Sequence, residues 1–325
     1  MPMNRPKVLV TRRWPEAVEA ELKKRYDVCL NDGDAPLSAD QLKAALRDYD
    51  AVLPTVTDRI DAEVLGQEPL RCKILGNFGV GFNHIDIAAA KARGIAVTNT
   101  PDVLTDCTAD IAMLLMLAVA RRGGEGERLV RSGGWDGWCP THLLGTKVTG
   151  KTLGLIGFGR IAQAMAHKAH HGFDMKIVFY NPSPPPRERI DAVQARACAS
   201  IEDVLQEADF VSLHCPGSPS NRHLIDAERL ALMKPSAFLI NTARGDVVDS
   251  EALIAALKAG QIRGAGLDVY EGEPRLNPAF LDLDNVVLLP HLGSATTETR
   301  VAMGMRVLEN IDAFFAGETP RDRVA

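Results

Sequence analysis

Paired cysteines are missing from this chain. Its six cysteines (Cys29, Cys72, Cys107, Cys139, Cys198 and Cys215) are scattered with no C-x-x-C spacing, which speaks against a disulfide framework and for a reducing compartment. Long apolar runs are missing too. The longest, Ile111 to Ala120, is ten residues and is followed by Arg121-Arg122, too short to span a bilayer and suited to a buried helix. The opening MPMNRPKVLV has no long apolar signal region, so the expectation is a cytoplasmic protein with no membrane partner. A strong charge of either sign is absent: the formal net charge is −5, which gives no reason to expect nucleic acid or an anionic membrane. Neither G-x-S-x-G nor H-E-x-x-H occurs, leaving no nucleophile elbow and no zinc-protease helix. His167, His170 and His171 cluster without a cysteine or acid at ligand spacing; they read as a solvated helix face, and no metal site is expected.

What is present is apolar residue in ordinary amount, 46% of a chain of 325. That length exceeds what one hydrophobic core usually serves, so two domains are expected. From Lys7 short β-branched runs alternate with helical segments. KVLVT, DVCLN, AVLPT, KILGN and IAVTN are strand candidates, and PEAVEAELKKR, SADQLKAALRD, DAEVL and HIDIAAAKARG lie between them. Ser38 and Gln41 have the spacing of a capping box. Five strands separated by helices indicate a parallel, doubly wound sheet.

After Pro101 comes a helix candidate over about residues 108–121, then a glycine-rich segment ending GGWDGWCP, exposed in character but aromatic. A second alternation follows, with six strand candidates: TLGLIG, KIVFY, DFVSLH, SAFLINT, GAGLDV and NVVLLP. Six is the strand number of a full dinucleotide-binding fold. The fold class is therefore α/β with two doubly wound parallel sheets. A cofactor domain over residues 101–293 is inserted into a substrate domain made of 1–100 and 294–325, with a cleft expected between them. The closing helical stretch TETRVAMGMRVLENIDAFFAG packs back on the first domain, with Val301, Met305, Leu308 and Phe315 offered as its apolar face.

Gly157-Phe158-Gly159-Arg160-Ile161-Ala162 is G-x-G-x-x-A where a strand feeds a helix. The first glycine permits the tight turn, Gly159 lets backbone approach a pyrophosphate, and Ala162 is small enough for close helix packing. The anion then meets the helix N-terminus. Asn181 stands 22 residues after Gly159, where an acid would bind both ribose hydroxyls of NAD and repel a 2′-phosphate. A neutral residue removes that repulsion, and Ser183 with Arg187 or Arg189 is placed to meet a phosphate, so the expected cofactor is NADP or NAD, with NADP favoured.

Ligands of open parallel sheets sit beyond the carboxyl ends of the strands. Those ends in the second alternation carry His214-Cys215-Pro216, Asn241 to Asp246, Leu267 to Pro274 and Leu289 to Ala295. Arg244, Glu273 and His291 thereby fall on one rim. A guanidinium fork suits a carboxylate and an adjacent keto oxygen, an imidazole shuttles a proton, and a carboxylate holds the imidazole. This equipment suits reduction of a 2-oxo acid by hydride transfer.

NTARGDVVD, GLDVYEGEP, LLPHLGSAT, GFGRIAQAMA and NFGVGFNHIDI together resemble the D-isomer-specific 2-hydroxyacid dehydrogenase family over essentially the whole chain, and PDVLTDCTAD with GGWDGW is most similar to its glyoxylate and hydroxypyruvate reductases. The resemblance implies a flavodoxin-like substrate domain and a Rossmann cofactor domain, with Arg244, Glu273 and His291 as the catalytic trio. It implies that the N–H groups of Val80 and Gly81 grip the substrate carboxylate. Thr105, Thr242, Ala243, Arg244, Asp268 and Gly293 would contact the nicotinamide end, with Asp268 on the carboxamide. It also implies a homodimer through the cofactor domains, in which the arm from Trp135 to His142 crosses over and Trp138 closes the neighbour's pocket. Val56 and Thr57 are expected to restrict that pocket to short side chains, and His84, at the start of a helix, to be structural or a pocket wall. Two rival readings share the motifs: a phosphoglycerate-type dehydrogenase, against which the short stretch after the last helix speaks, and an NAD(H)-sensing module of the corepressor kind.

Overall fold

A computed structural model of the chain describes residues 5–325. In chain order its elements are β1 (Lys7–Val10), α1 (Glu16–Arg25), β2 (Asp27–Leu30), α2 (Ala39–Asp48), β3 (Ala51–Leu53), α3 (Ala62–Leu65), β4 (Ile74–Gly76), α4 (Ile87–Ala92), β5 (Ala96–Thr98), α5 (Thr105–Ala120) and α6 (Gly123–Arg131). There follow β6 (Thr152–Ile156), α7 (Arg160–Phe173), β7 (Lys176–Tyr180), α8 (Arg187–Asp191), β8 (Arg196–Ala197), α9 (Ile201–Glu207), β9 (Phe210–Leu213), α10 (Ala227–Leu232), β10 (Phe238–Asn241), α11 (Ser250–Lys258), β11 (Gly264–Leu267), β12 (Val286–Leu288) and α12 (Thr297–Phe315). The chain divides into two compact units, one of the residues up to Leu104 together with Ala295–Ala325, the other Thr105–Ser294.

The first unit is a five-stranded sheet of order β2-β1-β3-β4-β5, parallel throughout. Its central strands are buried on both faces, which is why β1, β3 and β4 read as unbroken apolar runs rather than alternations. The chain order reverses between β1 and β3, so the loops after β1, β3, β4 and β5 gather at the ligand-binding end of such a sheet. The capping box expected from Ser38 and Gln41 forms at the start of α2: the Gln41 N–H donates to Ser38 Oγ at 3.2 Å, and the Ser38 N–H to Gln41 Oε1 at 2.8 Å. His84 does not begin a helix as expected; it lies in the turn before α4.

The closing helix α12 belongs to this unit, and of the four residues expected to face inward only Leu308 is buried. Met303, Gly304, Val307, Leu308 and Ile311 are its buried positions, while Val301, Met305 and Phe315 are only partly covered. Apolar residues occur around most of this helix, so periodicity alone does not choose a side. The choice follows from Gly304, which lies directly against Val18 of α1 and sets the line of closest approach.

The second unit is a seven-stranded parallel sheet of order β12-β11-β10-β9-β6-β7-β8. Counted from β6, this is the dinucleotide-binding order with one further strand. The strand beyond that order is β12; the six expected strands are present, and the one not expected, β8, which fills the third place of the order, is a two-residue edge strand with no periodicity to detect. Helix α5 is apolar nearly all round and lies over β10 and β11, with Leu115 and Met116 fully buried. No helix among the described residues is long and apolar enough to cross a membrane. The face chosen by α12 has a measurable consequence: Ile311→Ala lowers the free energy of urea unfolding by about 2–5 kcal/mol, whereas Met305→Ala, at a partly covered position, lowers it by under about 1 kcal/mol.

Candidate active site

The glycine turn after β6 has the geometry that its spacing predicts. Gly157 has φ of +87°, and a Cβ there would sit 2.9 Å from the His214 carbonyl, so only glycine serves at this position. Space beside Gly159 is open, with nothing within 4 Å of where a Cβ would lie. Helix α7 starts at this residue without a side-chain cap, leaving the N–H groups of its first turn to an external acceptor. Ala162 is fully buried in the helix–sheet contact. Phe158 plays a different part from its neighbours: its ring is buried and stacked on Phe179 at 4.1 Å, and its N–H donates to Asn181 Oδ1 at 2.9 Å. Asn181 in turn donates through Nδ2 to the Ser183 carbonyl at 2.5 Å. Its amide thus laces the glycine turn to the loop after β7. Arg187 is exposed and pairs with Asp191 one turn along α8 at 2.9 Å.

Along the other strand ends, His214 follows β9 with Nε2 2.9 Å from Ser212 Oγ. Burial pushes its imidazole down to about 4, so it is neutral at physiological pH, and burial pushes the Cys215 thiol up to about 11. Thr242, after β10, has a buried hydroxyl with no hydrogen-bond partner. An open glycine cradle, an uncapped helix start and an orphaned hydroxyl on one strand-end rim suit a dinucleotide with a polar nicotinamide end.

On the same rim His291 Nδ1 donates to Glu273 Oε2 at 2.8 Å. Two side chains 18 residues apart meet because both their segments are anchored. The second Glu273 oxygen accepts the Tyr270 N–H at 2.8 Å. Burial alone would raise the Glu273 carboxyl, but His291, the Tyr270 N–H and the Arg244 cation outweigh it and hold it below the ordinary carboxylate range. Burial lowers the Arg244 guanidinium from its usual value, offset in part by Glu273 and Asp246, and Arg244 Nη1 donates to the Ala243 carbonyl at 2.7 Å. Backbone contact sets these parts in register: a Cβ on Gly245 would lie 1.8 Å from the Tyr270 carbonyl carbon. The segments bearing Arg244 and Glu273 therefore touch main chain to main chain.

Asp268 anchors the third segment. Its carboxylate accepts the Leu292 N–H at 2.6 Å and the Gly293 N–H at 2.8 Å, and its carbonyl accepts the His291 N–H at 2.9 Å. His291 itself has φ of +57°, a left-handed conformation that a histidine adopts only when its surroundings impose it. Burial raises the Asp268 carboxyl against the pull of these two N–H groups and His291. The bonds of Asp268 to the His291 loop are a part that the sequence did not disclose. Tyr270 was also missed. Its hydroxyl donates to the Leu289 carbonyl at 2.8 Å, tying the Glu273 loop to the end of β12, and no spacing rule announces such a bond.

In the first unit, Val80 and Gly81 lie in the turn after β4. Every carbonyl around them is spoken for: Asn77 Nδ2 donates to the Gly79 and Gly81 carbonyls at 3.0 Å each, Asn99 Nδ2 to the Val80 carbonyl at 2.9 Å, and the Thr100 N–H to the Gly79 carbonyl at 3.1 Å. Asn77 is fully buried, with its Oδ1 2.9 Å from His84 Nε2. These bonds fix the peptides of the turn in place. Neither Asn77 nor Asn99 was singled out from sequence; a buried asparagine beside a glycine turn is the signal that marks them. Val56 is 41% exposed in the loop after β3, next to Asp58, a fully buried residue whose carboxylate accepts the Thr11 hydroxyl at 2.6 Å and the Thr55 N–H at 2.8 Å.

Other expected residues fall as follows. Thr105 opens α5 and Gly293 is buried beside Thr108. Trp138 is 81% exposed and Trp135 53% exposed in an irregular segment after α6. Of the α7 histidines, His167 and His171 are exposed, as a solvated face has them, while His170 is partly covered; His170 Nδ1 and His171 Nε2 each lie 3.1 Å from a backbone carbonyl, those of Met175 and Ala192.

Comparison with known proteins accords with this geometry. Residues 113–293 match the D-isomer specific 2-hydroxyacid dehydrogenase, NAD binding domain. The chain is 48% identical to the glyoxylate reductase of Thermococcus litoralis, covering 98% of this chain and 97% of the relative. It is 40% identical to the glycerate dehydrogenase of Hyphomicrobium methylovorum, covering 97% and 98%. The crystal structure of the NADPH-dependent glyoxylate/hydroxypyruvate reductase of Sinorhizobium meliloti with NADP and malonate superposes with a TM-score of 0.87 at 33% identity, over 99% of this chain and 97% of that one. Two parallel α/β sheets, the glycine turn, the strand-end trio and these likenesses over nearly full length lead to one conclusion: the chain belongs to the D-isomer specific 2-hydroxyacid dehydrogenase family.

Proposed function

We propose that this chain uses NADPH, or NADH less well, to reduce glyoxylate, hydroxypyruvate and similarly small 2-oxo acids to their D-2-hydroxy acids. The observation that carries the reading is the 2.8 Å bond between His291 and Glu273 on the rim that also bears Arg244. The names of the relatives, glyoxylate reductase and glycerate dehydrogenase, support the substrate class. When bound, the reduced nicotinamide supplies the hydride.

The chain's own residues do the rest. The Val80 and Gly81 N–H groups take the substrate carboxylate. Arg244 faces the carbonyl oxygen as negative charge develops on it, and His291 gives that oxygen its proton. Glu273 holds the imidazole by Nδ1, which turns Nε2 toward the substrate. Gly157, Gly159 and the first turn of α7 hold the pyrophosphate, and Arg160 and Ile161 contribute from that turn. His214, Cys215 and Pro216 line the adenosine side, while Thr242, Ala243, Asp268, Gly293 and Thr105 line the nicotinamide end. Val56 limits the substrate to short side chains.

Preference for NADPH is supported by Asn181, whose amide brings no negative charge to the adenosine 2′ position, and by Ser183 and Arg187 in the loop and helix beyond it. We further propose a homodimer through the second unit. Leu114, Val130, Trp135, Trp138 and Leu144, all at least half exposed, support that surface, and Trp138 then reaches the neighbouring site.

Four outcomes test these assignments. His291→Ala loses on the order of 10²–10⁴-fold in kcat for glyoxylate reduction while binding NADPH normally by fluorescence titration; unchanged turnover rejects the acid–base role. A wild-type chain that binds NADPH tightly yet turns over no 2-oxo acid returns the sensing-module reading. Asn77→Asp sets a carboxylate against the Gly79 and Gly81 carbonyls and raises KM for glyoxylate about tenfold or more, with KM for NADPH unaltered. Asn181→Asp lowers the ratio of kcat/KM for NADPH over NADH by at least about tenfold, because a carboxylate there repels a 2′-phosphate.

A further inference from the structure

The rim holds a second imidazole–carboxylate pair. His223 Nε2 lies 2.9 Å from Glu271 Oε1, and the same oxygen accepts from Arg222 Nη2 at 2.8 Å. Glu271 is two residues from Glu273, in the segment whose backbone rests on Gly245. His223 reaches the Arg244 segment as well: its N–H donates to the Asp246 carbonyl at 2.7 Å, and its Nδ1 lies 3.8 Å from Asp249 Oδ2 at the start of α11. The next residues continue the seam, with Ile225 and Val248 paired as a parallel bridge. His223 holds φ of +49° in order to make these contacts, a conformation that costs free energy unless several bonds impose it.

We propose that His223 and Glu271 are positioning residues for the reduction. Together they clamp the segment carrying Glu273 to the segment carrying Arg244. Gly245 against Tyr270 brings the two main chains into contact but does not stop them sliding, since a glycine offers no side chain to interlock. The His223 ring and N–H bridge the two segments, and Arg222 closes the bridge from the same turn. Glu271 is held as a carboxylate: burial would raise it, but His223 and Arg222 outweigh burial and bring it below its ordinary value. The pair touches neither substrate nor cofactor in this role. It acts on the reaction through the placement of Glu273, and through Glu273 on His291.

The inference rests on the reading of Arg244, Glu273 and His291 as the catalytic set. Its test compares full-length variants with the wild-type chain, using glyoxylate and NADPH. His223→Ala and Glu271→Ala each lower kcat about tenfold, as a small misplacement of a catalytic group does, with KM for glyoxylate and for NADPH within about twofold of wild type. The primary deuterium isotope effect on kcat rises in both, because the chemical step has become slower. The double variant is no slower than the worse single one, since the two residues act as a unit. His223→Gln, which still offers an N–H to Glu271, recovers most of the loss. If Glu271→Ala fails to fold, Glu271→Gln carries the test with a smaller loss in the same direction.

Unchanged kcat in the alanine variants, losses that multiply in the double variant, or an effect confined to KM overturns the positioning role. A wild-type chain that reduces no 2-oxo acid sinks the reading of the catalytic set and this inference with it. Variants that match an active wild type sink the positioning role alone.

Discussion

A buried carboxylate holds the site together. Asp268 sits at the end of β11, accepts the N–H groups of Leu292 and Gly293 with its side chain and that of His291 with its carbonyl, and so converts the end of one strand into a mount for the loop after the next. Without those three bonds the left-handed φ of His291 would relax and the imidazole would leave Glu273. A carboxylate accepting two N–H groups in a buried place is a strong and directional tie. The cost is a carboxyl raised by burial, which the same N–H groups keep from rising further.

The remaining parts are assembled by contact rather than by charge. Gly245 admits the Tyr270 main chain at a distance no side chain would allow, so Arg244 and Glu273 share one short stretch of wall. Tyr270 joins that wall to β12 through its hydroxyl. In the first unit the same economy appears in a different form: Asn77 and Asn99 bind the carbonyls of the turn at Gly79 to Gly81. In each unit, taken by itself, backbone polarity is arranged by buried polar side chains.

Much of this was legible beforehand, for identifiable reasons. Parallel strands buried on both faces read as short apolar runs, and helices between them carry caps such as Ser38 with Gln41, so five strands of the first sheet and six of the second could be found from pattern. The rim residues Arg244, Glu273 and His291 were found because strand ends define where such sheets bind ligands. The inward face of α12 was not found, because an apolar helix with residues all round has no single stripe and Gly304 chose the side through its fit to α1. Tyr270, His223 and Glu271 were not found because their partners lie 19 and 48 residues away at no fixed spacing; Asn77 was not found because its bonds to the nearby Gly79 and Gly81 carbonyls depend on its burial, which no local pattern announces.

The amino-acid sequence by itself determined the succession of strands and helices, the glycine turn from Gly157 to Ala162 and the neutral Asn181, since these depend on residues near one another along the chain and on local steric limits. Only the tertiary structure decided which buried groups hold Glu273 and His291, that Asn181 binds the glycine turn through the Phe158 N–H, and that His223 meets Glu271 from 48 residues away. Those pairings depend on which strand ends lie side by side once the sheet has formed, and chain distance carries no record of that.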